Sequence, residues 1–294
     1  MTTTITLDAL ARATGTFLMV AMDQRESLRT MLAQHHADAD DARMIRFKLA
    51  VARELAPHAS GFLIDREYGF DEVVRQGLVP PSCGLILAAD ALEQPPGRIV
   101  QDTDLDESVD PAATREAGAV ALKLLVIWRD DDRRMRRLDI SRSFVELAAE
   151  HGLLSVLEGV VRGPEGFDRE AAIVEAAAEL AAVGCDLYKC EVPTHGRGPS
   201  EEITRWCREI DAAVPCPWVV LSQGVDPVVF PQAVEAACLG GASGMLAGRA
   251  VWTATLAADD PTRLLREHSV PRLQELAGIV DRFGRPWYGA GAGV

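Results

Sequence analysis

Short apolar runs recur along the chain, and stretches with a helical pattern separate them. The runs are rich in aliphatic side chains and are bounded by Gly, Pro or Asp, as β-strands are. They occupy residues 17–23, 61–65, 84–90, 119–128, 153–161, 186–193, 217–224 and 244–250. Between them, stretches such as 42–57 and 169–184 repeat apolar residues at intervals of three and four, which is typical of amphipathic helices. The pattern therefore predicts eight strands that alternate with helices.

Eight strand–helix units within 294 residues predict an α/β fold, and specifically a (β/α)8 TIM barrel. The alternative is an open, doubly wound parallel sheet. Such a sheet favours a G-x-G-x-x-G turn after its first strand, and the sequence AMDQRES at that position contains none. We expect a single barrel domain over residues 1–284 and a loose C-terminal tail over residues 285–294.

Composition and charge narrow the possible partners. The formal net charge of −14 disfavours nucleic acid and anionic membrane as partners. No apolar run approaches the length of a membrane span, and the N-terminus lacks the pattern of a secretory signal. The six cysteines show no zinc spacing and the six histidines form no metal-binding pair. We therefore expect a cytoplasmic protein with reduced thiols, without a metal or other cofactor.

Polar residues lie at the ends of the predicted strands, where the active sites of such barrels are built. They are Asp23, Gln24, Arg25, Asp65, Asp90, Lys123, Glu158, Lys189, Glu191, Ser222, Gly224, Gly248 and Arg249. Because side chains alternate across a strand, Lys189 faces the same way as Leu187 and Glu191, and opposite to Tyr188. The outer face of a barrel lies under apolar helices, so we expect the charged set to face the interior.

Lys123, Lys189 and Glu158 would then share one lumen. A nearby cation and partial desolvation both favour a neutral lysine, and a neutral amine can attack a carbonyl to form a Schiff base. Glu158 could carry protons for that reaction. On the residues alone, a structural ion network that fills the barrel is the alternative interpretation.

Strands seven and eight suggest an anion site, because loops after these two strands often bind phosphate in TIM barrels. Ser222 and Gly224 offer a hydroxyl and exposed backbone N–H groups. Gly248 and Arg249 add a second glycine and a guanidinium, which binds phosphate with paired hydrogen bonds. The alternative is that these are ordinary glycine-rich turns.

Several motifs together resemble a known family over roughly residues 5–282. They are MDQRESLRTM (22–31), ALKLLVIWR (121–129), DLYKCEVP (186–193), PWVVLSQGVD (217–226) and GASGMLAGRAVW (241–252). These motifs resemble the class I, Schiff-base aldolase family of tagatose-bisphosphate aldolase. Within it, LEGVVR and LYKCEVPTHGRGP are more similar to the compact sulfofructosephosphate branch than to the longer tagatose enzymes.

The resemblance implies cleavage of 6-deoxy-6-sulfofructose 1-phosphate to dihydroxyacetone phosphate and sulfolactaldehyde, as part of sulfoquinovose degradation. It implies that Lys189 is the Schiff-base lysine, Glu158 the acid–base, Lys123 the lysine beside it, and Asp23 the aspartate that assists. By the same resemblance the phosphate would bind Ser222, Gly224, Gly248 and Arg249. The partner is then a ketose phosphate, and the family suggests a homo-oligomer.

The distal anion of the substrate, a sulfonate or a second phosphate, requires contacts of its own. Gln24 and Arg25 follow the first strand, and His195 and Arg197 lie in the loop after the sixth. For His195 and Arg197 the alternative is a solvated loop. Two alternative functions also stay open: a tagatose or fructose 1,6-bisphosphate aldolase, and a barrel that binds sugar phosphates without catalysis.

Overall fold

The computed structural model describes residues 5–95 and 98–289, and its centre is a closed barrel of eight parallel strands. The strands are β1 (Phe17–Met22), β2 (Gly61–Asp65), β3 (Gly84–Ala88), β4 (Ala119–Trp128), β5 (Leu154–Val161), β6 (Leu187–Cys190), β7 (Trp218–Val220) and β8 (Gly244–Ala247). Strand β8 closes the barrel by pairing with β1, with Gly244 opposite Phe17 and Ala247 opposite Val20. The predicted (β/α)8 fold is confirmed.

Helices surround the barrel. They are α1 (Glu26–Ala33), α2 (Asp41–Leu55), α3 (Asp71–Gln76), α4 (Pro111–Glu116), α5 (Arg134–Glu150), α6 (Arg169–Ala181), α7 (Ser200–Ala213), α8 (Phe230–Leu239), α9 (Arg249–Trp252), α10 (Thr262–Leu264) and α11 (Val270–Phe283). Asp40 and Asp168 cap α2 and α6, each accepting a hydrogen bond from the backbone N–H three residues later. These caps fix the start of the two helices that the sequence pattern predicts most clearly.

Two apolar layers hold the structure together. The larger lies between the strands and the helices, and the smaller fills the inside of the barrel. The inner layer includes Ala21, Ala121, Val156 and Leu187. Each of these precedes a charged residue by two positions. The next inward positions are therefore Lys123, Glu158 and Lys189 on their strands, and Asp23 directly after the end of β1. The charged layer therefore rests directly on an apolar floor.

The alternation predicted for β6 holds as far as the strand extends. Leu187 belongs to the inner layer, whereas Tyr188 and Cys190 belong to the outer layer, so Lys189 faces inward. The expectation that Glu191 also faces the lumen is wrong. Because β6 ends at Cys190, the alternation stops, and Glu191 instead accepts hydrogen bonds from the Val161 N–H (2.7 Å) and from Arg169 (3.1 Å).

An antiparallel hairpin follows β3 and is not predicted by the hydrophobic pattern. Its strands are Asp90–Glu93 and Asp102–Leu105, which pair only with each other. They are short and partly exposed, so they lack the apolar runs that identify the barrel strands. The hairpin places Asp90 over the mouth of the barrel.

The predicted tail begins with residues that are bonded to the N-terminal end of the barrel. The Arg285 N–H donates to the Ala242 carbonyl (3.1 Å), and the Arg285 side chain pairs with Asp211 (2.6 Å). The Trp287 N–H donates to the Gly15 carbonyl at 2.8 Å. The rest of the predicted tail, residues 290–294, lies outside the described residues, and the domain boundary at 284 stays a prediction.

Gly244 provides a test of the barrel closure. Its φ is +139°, and a Cβ atom there would overlap the carbonyl oxygen of Phe17 on β1. We expect Gly244→Ala to lower the free energy of unfolding by roughly 1–3 kcal/mol in urea titrations. Gly278 is the matched control, because it is an exposed glycine in α11 with open space around it. Gly278→Ala should raise stability by about 0.5–1 kcal/mol, and equal effects of the two substitutions would contradict this account.

Candidate active site

A cavity of about 450 Å³ opens at the C-terminal ends of the barrel strands. Most of the residues that the sequence singles out line it: Asp23, Gln24, Arg25, Lys123, Glu158, Lys189, Ser222, Gly224, Gly248 and Arg249. They come from strands on every side of the barrel, so only the closed fold brings them together. Small polar ligands can enter this cavity, because its volume lies within the range of ordinary ligand sites.

All lysines of the chain lie at this end of the barrel. The sequence contains only three, Lys48, Lys123 and Lys189, and every other basic side chain among its 30 Lys and Arg residues is arginine. The three are almost completely buried, with 0%, 2% and 3% of their surface exposed. Buried ammonium groups are stable only when they are paired, so the partners of each lysine define the site.

Lys189 and Lys123 share one carboxylate oxygen. Lys189 Nζ donates to Glu158 Oε2 at 2.9 Å, and Lys123 Nζ lies 2.8 Å from the same oxygen. The register explains this contact, because Glu158 on β5 is paired directly with Lys189 on β6. A proton leaving either amine therefore has an acceptor within hydrogen-bonding distance.

Lys123 has two further carboxylate partners. Its Nζ donates to Asp23 at 2.8 Å and to Asp90 at 2.9 Å. Burial lowers the pKa of Lys123, but Asp23, Asp90 and Glu158 outweigh it and raise the pKa well above its usual value. Lys123 is therefore a permanent cation in the floor of the cavity.

Asp23 is held as an anion by the same cations. Burial raises the pKa of its carboxyl group, but Lys123, Lys189 and Arg25 outweigh this effect and hold the pKa well below its usual range. Asp23 can accept hydrogen bonds from substrate hydroxyls without becoming protonated at neutral pH. This ionisation state makes it a hydrogen-bond acceptor and not a proton donor.

Arg25 forms an ion pair with Asp90. Its two Nη atoms donate to the Asp90 carbonyl (2.8 Å) and carboxylate (3.0 Å), while the other carboxylate oxygen of Asp90 accepts from Lys123. Asp90 also accepts from the Leu125 N–H at 3.1 Å. Arg25 lines the cavity as predicted, but its charge is balanced by a carboxylate that the sequence had not marked as part of the site.

Lys48 supports the main chain on either side of Asp23. From helix α2, its Nζ donates to the carbonyls of Met22 (2.9 Å) and Gln24 (2.7 Å), and to the carboxylate of Asp65. Asp65 in turn accepts from the Tyr68 N–H at 2.8 Å. This buried pair fixes the turn that carries Asp23, Gln24 and Arg25.

The residues after β7 and β8 form the wall next to the β1 turn. The Ser222 hydroxyl accepts from the Ala250 N–H at 3.4 Å, and Gly248 lies so close to the Ala21 carbonyl that a side chain would overlap it. Arg249 forms no ion pair within the described residues. Burial lowers the pKa of Arg249, and the charge of Arg162 lowers it further. The charges of Glu158 and Asp23 oppose this effect. Arg249 remains a guanidinium with its hydrogen-bond donors available.

His195 and Arg197 do not line the cavity. The His195 ring lies against Gly224, where a Cβ atom would be 2.6 Å from Nδ1, and Nδ1 has no hydrogen-bond partner among the described residues. Thr194 and His195 have positive φ angles of 53° and 52°, which turn the loop in a way that sequence alternation does not indicate. Arg197 is exposed. The expectation that these two residues contact the distal anion is not supported by where they lie.

Three residues of the site were missed or left unassigned by sequence reasoning. Asp90 was noted only as a strand end, and Lys48 was not noted, although the scarcity of lysine in the chain is a signal for it. Arg162 also lines the cavity, four residues after Glu158 on the same face of β5. Continuing the alternation from Glu158 would have found it.

Within residues 5–95 and 98–289, no group of three or more His, Cys, Asp or Glu side chains is placed to hold a metal ion. Over the same residues, no helix has the length and apolar character needed to span a membrane.

Comparisons with known proteins agree on one chemistry. The family model described as DeoC/LacD family aldolase matches residues 17–254. The chain is 26% identical to tagatose 1,6-diphosphate aldolase 2 of Streptococcus pyogenes serotype M3, with 93% of each chain covered. It is 28% identical to tagatose 1,6-diphosphate aldolase of Staphylococcus epidermidis, with 84% of each chain covered.

Solved structures show the same fold at lower identity. Fructose-bisphosphate aldolase from Plasmodium falciparum superposes with a TM-score of 0.72 at 13% identity, over 95% of this chain and 93% of that one. A Schiff base-forming fructose-1,6-bisphosphate aldolase gives a TM-score of 0.58 at 16% identity, over 90% and 96% of the two chains. These likenesses concern the barrel as a whole.

The Lys48–Asp65 pair yields a stability prediction. Lys48→Met would leave Asp65 as an unpaired buried carboxylate, at a cost of roughly 3–5 kcal/mol in the free energy of unfolding measured with urea. The double variant Lys48→Met with Asp65→Asn removes both charges and keeps an acceptor for the Tyr68 N–H. It should recover a large part of that loss. A double variant that is no more stable than Lys48→Met alone would show that the pair is not the reason for the burial of Lys48.

Proposed function

The chain belongs to the DeoC/LacD family of aldolases, a family of class I carbon–carbon lyases, and from that premise we propose that it cleaves 6-deoxy-6-sulfofructose 1-phosphate through a Schiff base on Lys189. The products are dihydroxyacetone phosphate and sulfolactaldehyde. The observation that carries the proposal is the position of Glu158 Oε2 between the amines of Lys189 and Lys123.

The contacts of the two lysines distinguish their roles. Lys123 faces three carboxylates and stays charged, whereas Glu158 is the only carboxylate of the described residues within 4 Å of the Lys189 amine. We therefore assign Lys189 as the nucleophile.

The reaction begins with attack of the Lys189 amine on the C2 ketone of the substrate. Glu158, 2.9 Å from Nζ, passes two protons in turn from the Lys189 nitrogen to the C2 oxygen: the one that the ammonium releases before attack, and the one that the nitrogen releases after it. The oxygen then leaves as water and an iminium forms. Lys123 stabilises the negative charge that develops on oxygen during attack. Asp23 orients the substrate hydroxyls from the other side of Lys123.

The iminium withdraws electrons, and this allows the C3–C4 bond to break. A base takes the proton of the C4 hydroxyl, the C3–C4 bond breaks, and its electron pair forms an enamine on Lys189 while C4 becomes the aldehyde carbon of sulfolactaldehyde. We assign Glu158 as this base, directly or through a water molecule. Protonation of the enamine at C3 and hydrolysis of the imine then release dihydroxyacetone phosphate and regenerate the amine.

The charges of the cavity-lining arginines and their partners support a sulfonate at C6. Near β7 and β8, Arg249 has no carboxylate partner among the described residues and suits the phosphate, which carries nearly two negative charges. At the β1 side, the charge of Arg25 is already balanced by Asp90, and Gln24 beside it is neutral. Gln24 and the Arg25–Asp90 pair provide hydrogen bonds with little net positive charge, which suits a monoanionic sulfonate better than a second phosphate.

The second candidate is cleavage of tagatose or fructose 1,6-bisphosphate. The names of the relatives from Streptococcus and Staphylococcus favour it, because both are called tagatose 1,6-diphosphate aldolases. Gln24 and Arg25 are available to a second phosphate as well as to a sulfonate. The two candidates share every step at Lys189 and differ in the group bound at C6 and, for tagatose, in the configuration at C4.

Reductive trapping tests the Schiff base. Borohydride treatment in the presence of dihydroxyacetone phosphate should attach one ligand irreversibly to Lys189, and peptide mapping is unambiguous because the chain has only three lysines. Lys189→Arg keeps a cation next to Glu158 but cannot form an imine, so it should show no adduct and essentially no turnover. Turnover of Lys189→Arg close to the wild-type rate would refute the mechanism.

A comparison of substrates tests the C6 group. We expect kcat/KM for sulfofructose 1-phosphate to exceed the values for tagatose and fructose 1,6-bisphosphate by at least about tenfold, equivalent to about 1.4 kcal/mol of transition-state binding. The measurement uses one enzyme preparation and one coupled assay for dihydroxyacetone phosphate. A higher value for either bisphosphate would replace the sulfonate proposal with the second candidate and leave the Schiff base in place.

A further inference from the structure

Arg162 lies at the rim of the cavity, on the same face of β5 as Glu158 and Val160. Its backbone N–H donates to the Trp128 carbonyl at 2.9 Å, which fixes the residue at the end of the strand. Its side chain is 23% exposed, so most of the guanidinium stem is covered by the cavity wall. No step proposed above uses this residue.

The hydrogen bonds of the Arg162 guanidinium are incomplete. Nη1 donates to the neighbouring Val161 carbonyl at 2.7 Å, and Nε is buried without any partner among the described residues. The nearest carboxylate, Glu191, is 4.0 Å away and is already bonded to Arg169 and to the Val161 N–H. A buried donor without an acceptor is costly, so an acceptor supplied by a ligand would be bound favourably.

Charge around Arg162 is mostly positive. Burial lowers the pKa of Arg162, Glu191 opposes this, and Arg129 and Arg169 add to it. Arg129 donates to the Gln101 carbonyl and has no carboxylate partner in the part of the chain described here. An anion at this wall would meet the field of several guanidinium groups.

Arg162 and Arg249 differ from Lys123, Lys189 and Arg25, which line the same cavity. Lys123, Lys189 and Arg25 each have a carboxylate within 3.0 Å, whereas Arg249 has none in the described residues and Arg162 has none within hydrogen-bonding distance. Arg162 and Arg249 line the same cavity. Two guanidinium groups that repel each other across one cavity are stabilised by a doubly charged anion between them.

We infer that Arg162 is a second phosphate-binding residue, which contacts the C1 phosphate of the ketose from the β5 side while Arg249 contacts it from the β8 side. This inference rests on the proposed function, because it concerns the same substrate. Arg249 has no carboxylate partner in the described residues and Arg162 has one only at 4.0 Å, whereas Arg25 is neutralised by Asp90 at 3.0 Å.

The test measures how tightly the phosphate is held, independently of the C6 group. Trapping on Lys189 is followed as a function of ligand concentration, with dihydroxyacetone phosphate and with unphosphorylated dihydroxyacetone. In Arg162→Gln, the half-saturating concentration of dihydroxyacetone phosphate should rise about 10- to 100-fold, and that of dihydroxyacetone should not change. Arg208→Gln, at an exposed position of helix α7, is the control and should behave like the wild type.

Two results would overturn the inference. One is an Arg162→Gln variant that binds dihydroxyacetone phosphate as tightly as Arg208→Gln does. The other is an equal loss for both ligands, which would show that the substitution disturbs the site as a whole and not the phosphate contact. If the proposed function itself is wrong, neither ligand gives an adduct on Lys189, even in the wild-type protein. This result is distinct from the two that would overturn the role of Arg162.

Discussion

The carboxylate of Glu158, bound by Lys123 on one side and Lys189 on the other, is the interaction on which the site depends. Two ammonium groups cannot share one oxygen in a buried cavity unless other carboxylates hold one of them firmly. Asp23 and Asp90 do so for Lys123. The result is an unequal pair, in which Lys123 has three carboxylate partners and Lys189 has one within 4 Å among the described residues. In the proposed mechanism this asymmetry makes Lys189 the nucleophile and Glu158 the adjacent proton acceptor.

The rest of the barrel holds these side chains at fixed positions relative to one another. The apolar floor of Ala21, Ala121, Val156 and Leu187 excludes water from below, which strengthens the electrostatic interactions above it. The pairing of Glu158 with Lys189 across β5 and β6 sets the distance between base and nucleophile. Lys48, bonded to the main chain around Asp23, gives the β1 turn a rigidity that a loop alone would not have.

The fold and the centre of the site followed from sequence because they depend on regular strands. Alternation within β6 places Lys189 inward, and the same alternation places Lys123 and Glu158 on neighbouring strands. Prediction failed where the strand ended or the chain turned irregularly. Glu191 lies one residue beyond β6, and His195 lies in a loop with positive φ angles, so neither side chain follows the alternation. The hairpin that carries Asp90 pairs only with itself and has no apolar run to reveal it.

The most direct measurement is a crystal structure of the protein soaked with dihydroxyacetone phosphate. This account predicts continuous electron density from Lys189 Nζ to C2 of the ligand, with Glu158 beside the new bond and the phosphate between Arg162 and Arg249. Density that joins the ligand to Lys123, or a ligand bound without a covalent bond to any lysine, would contradict the assignment of Lys189 as the nucleophile.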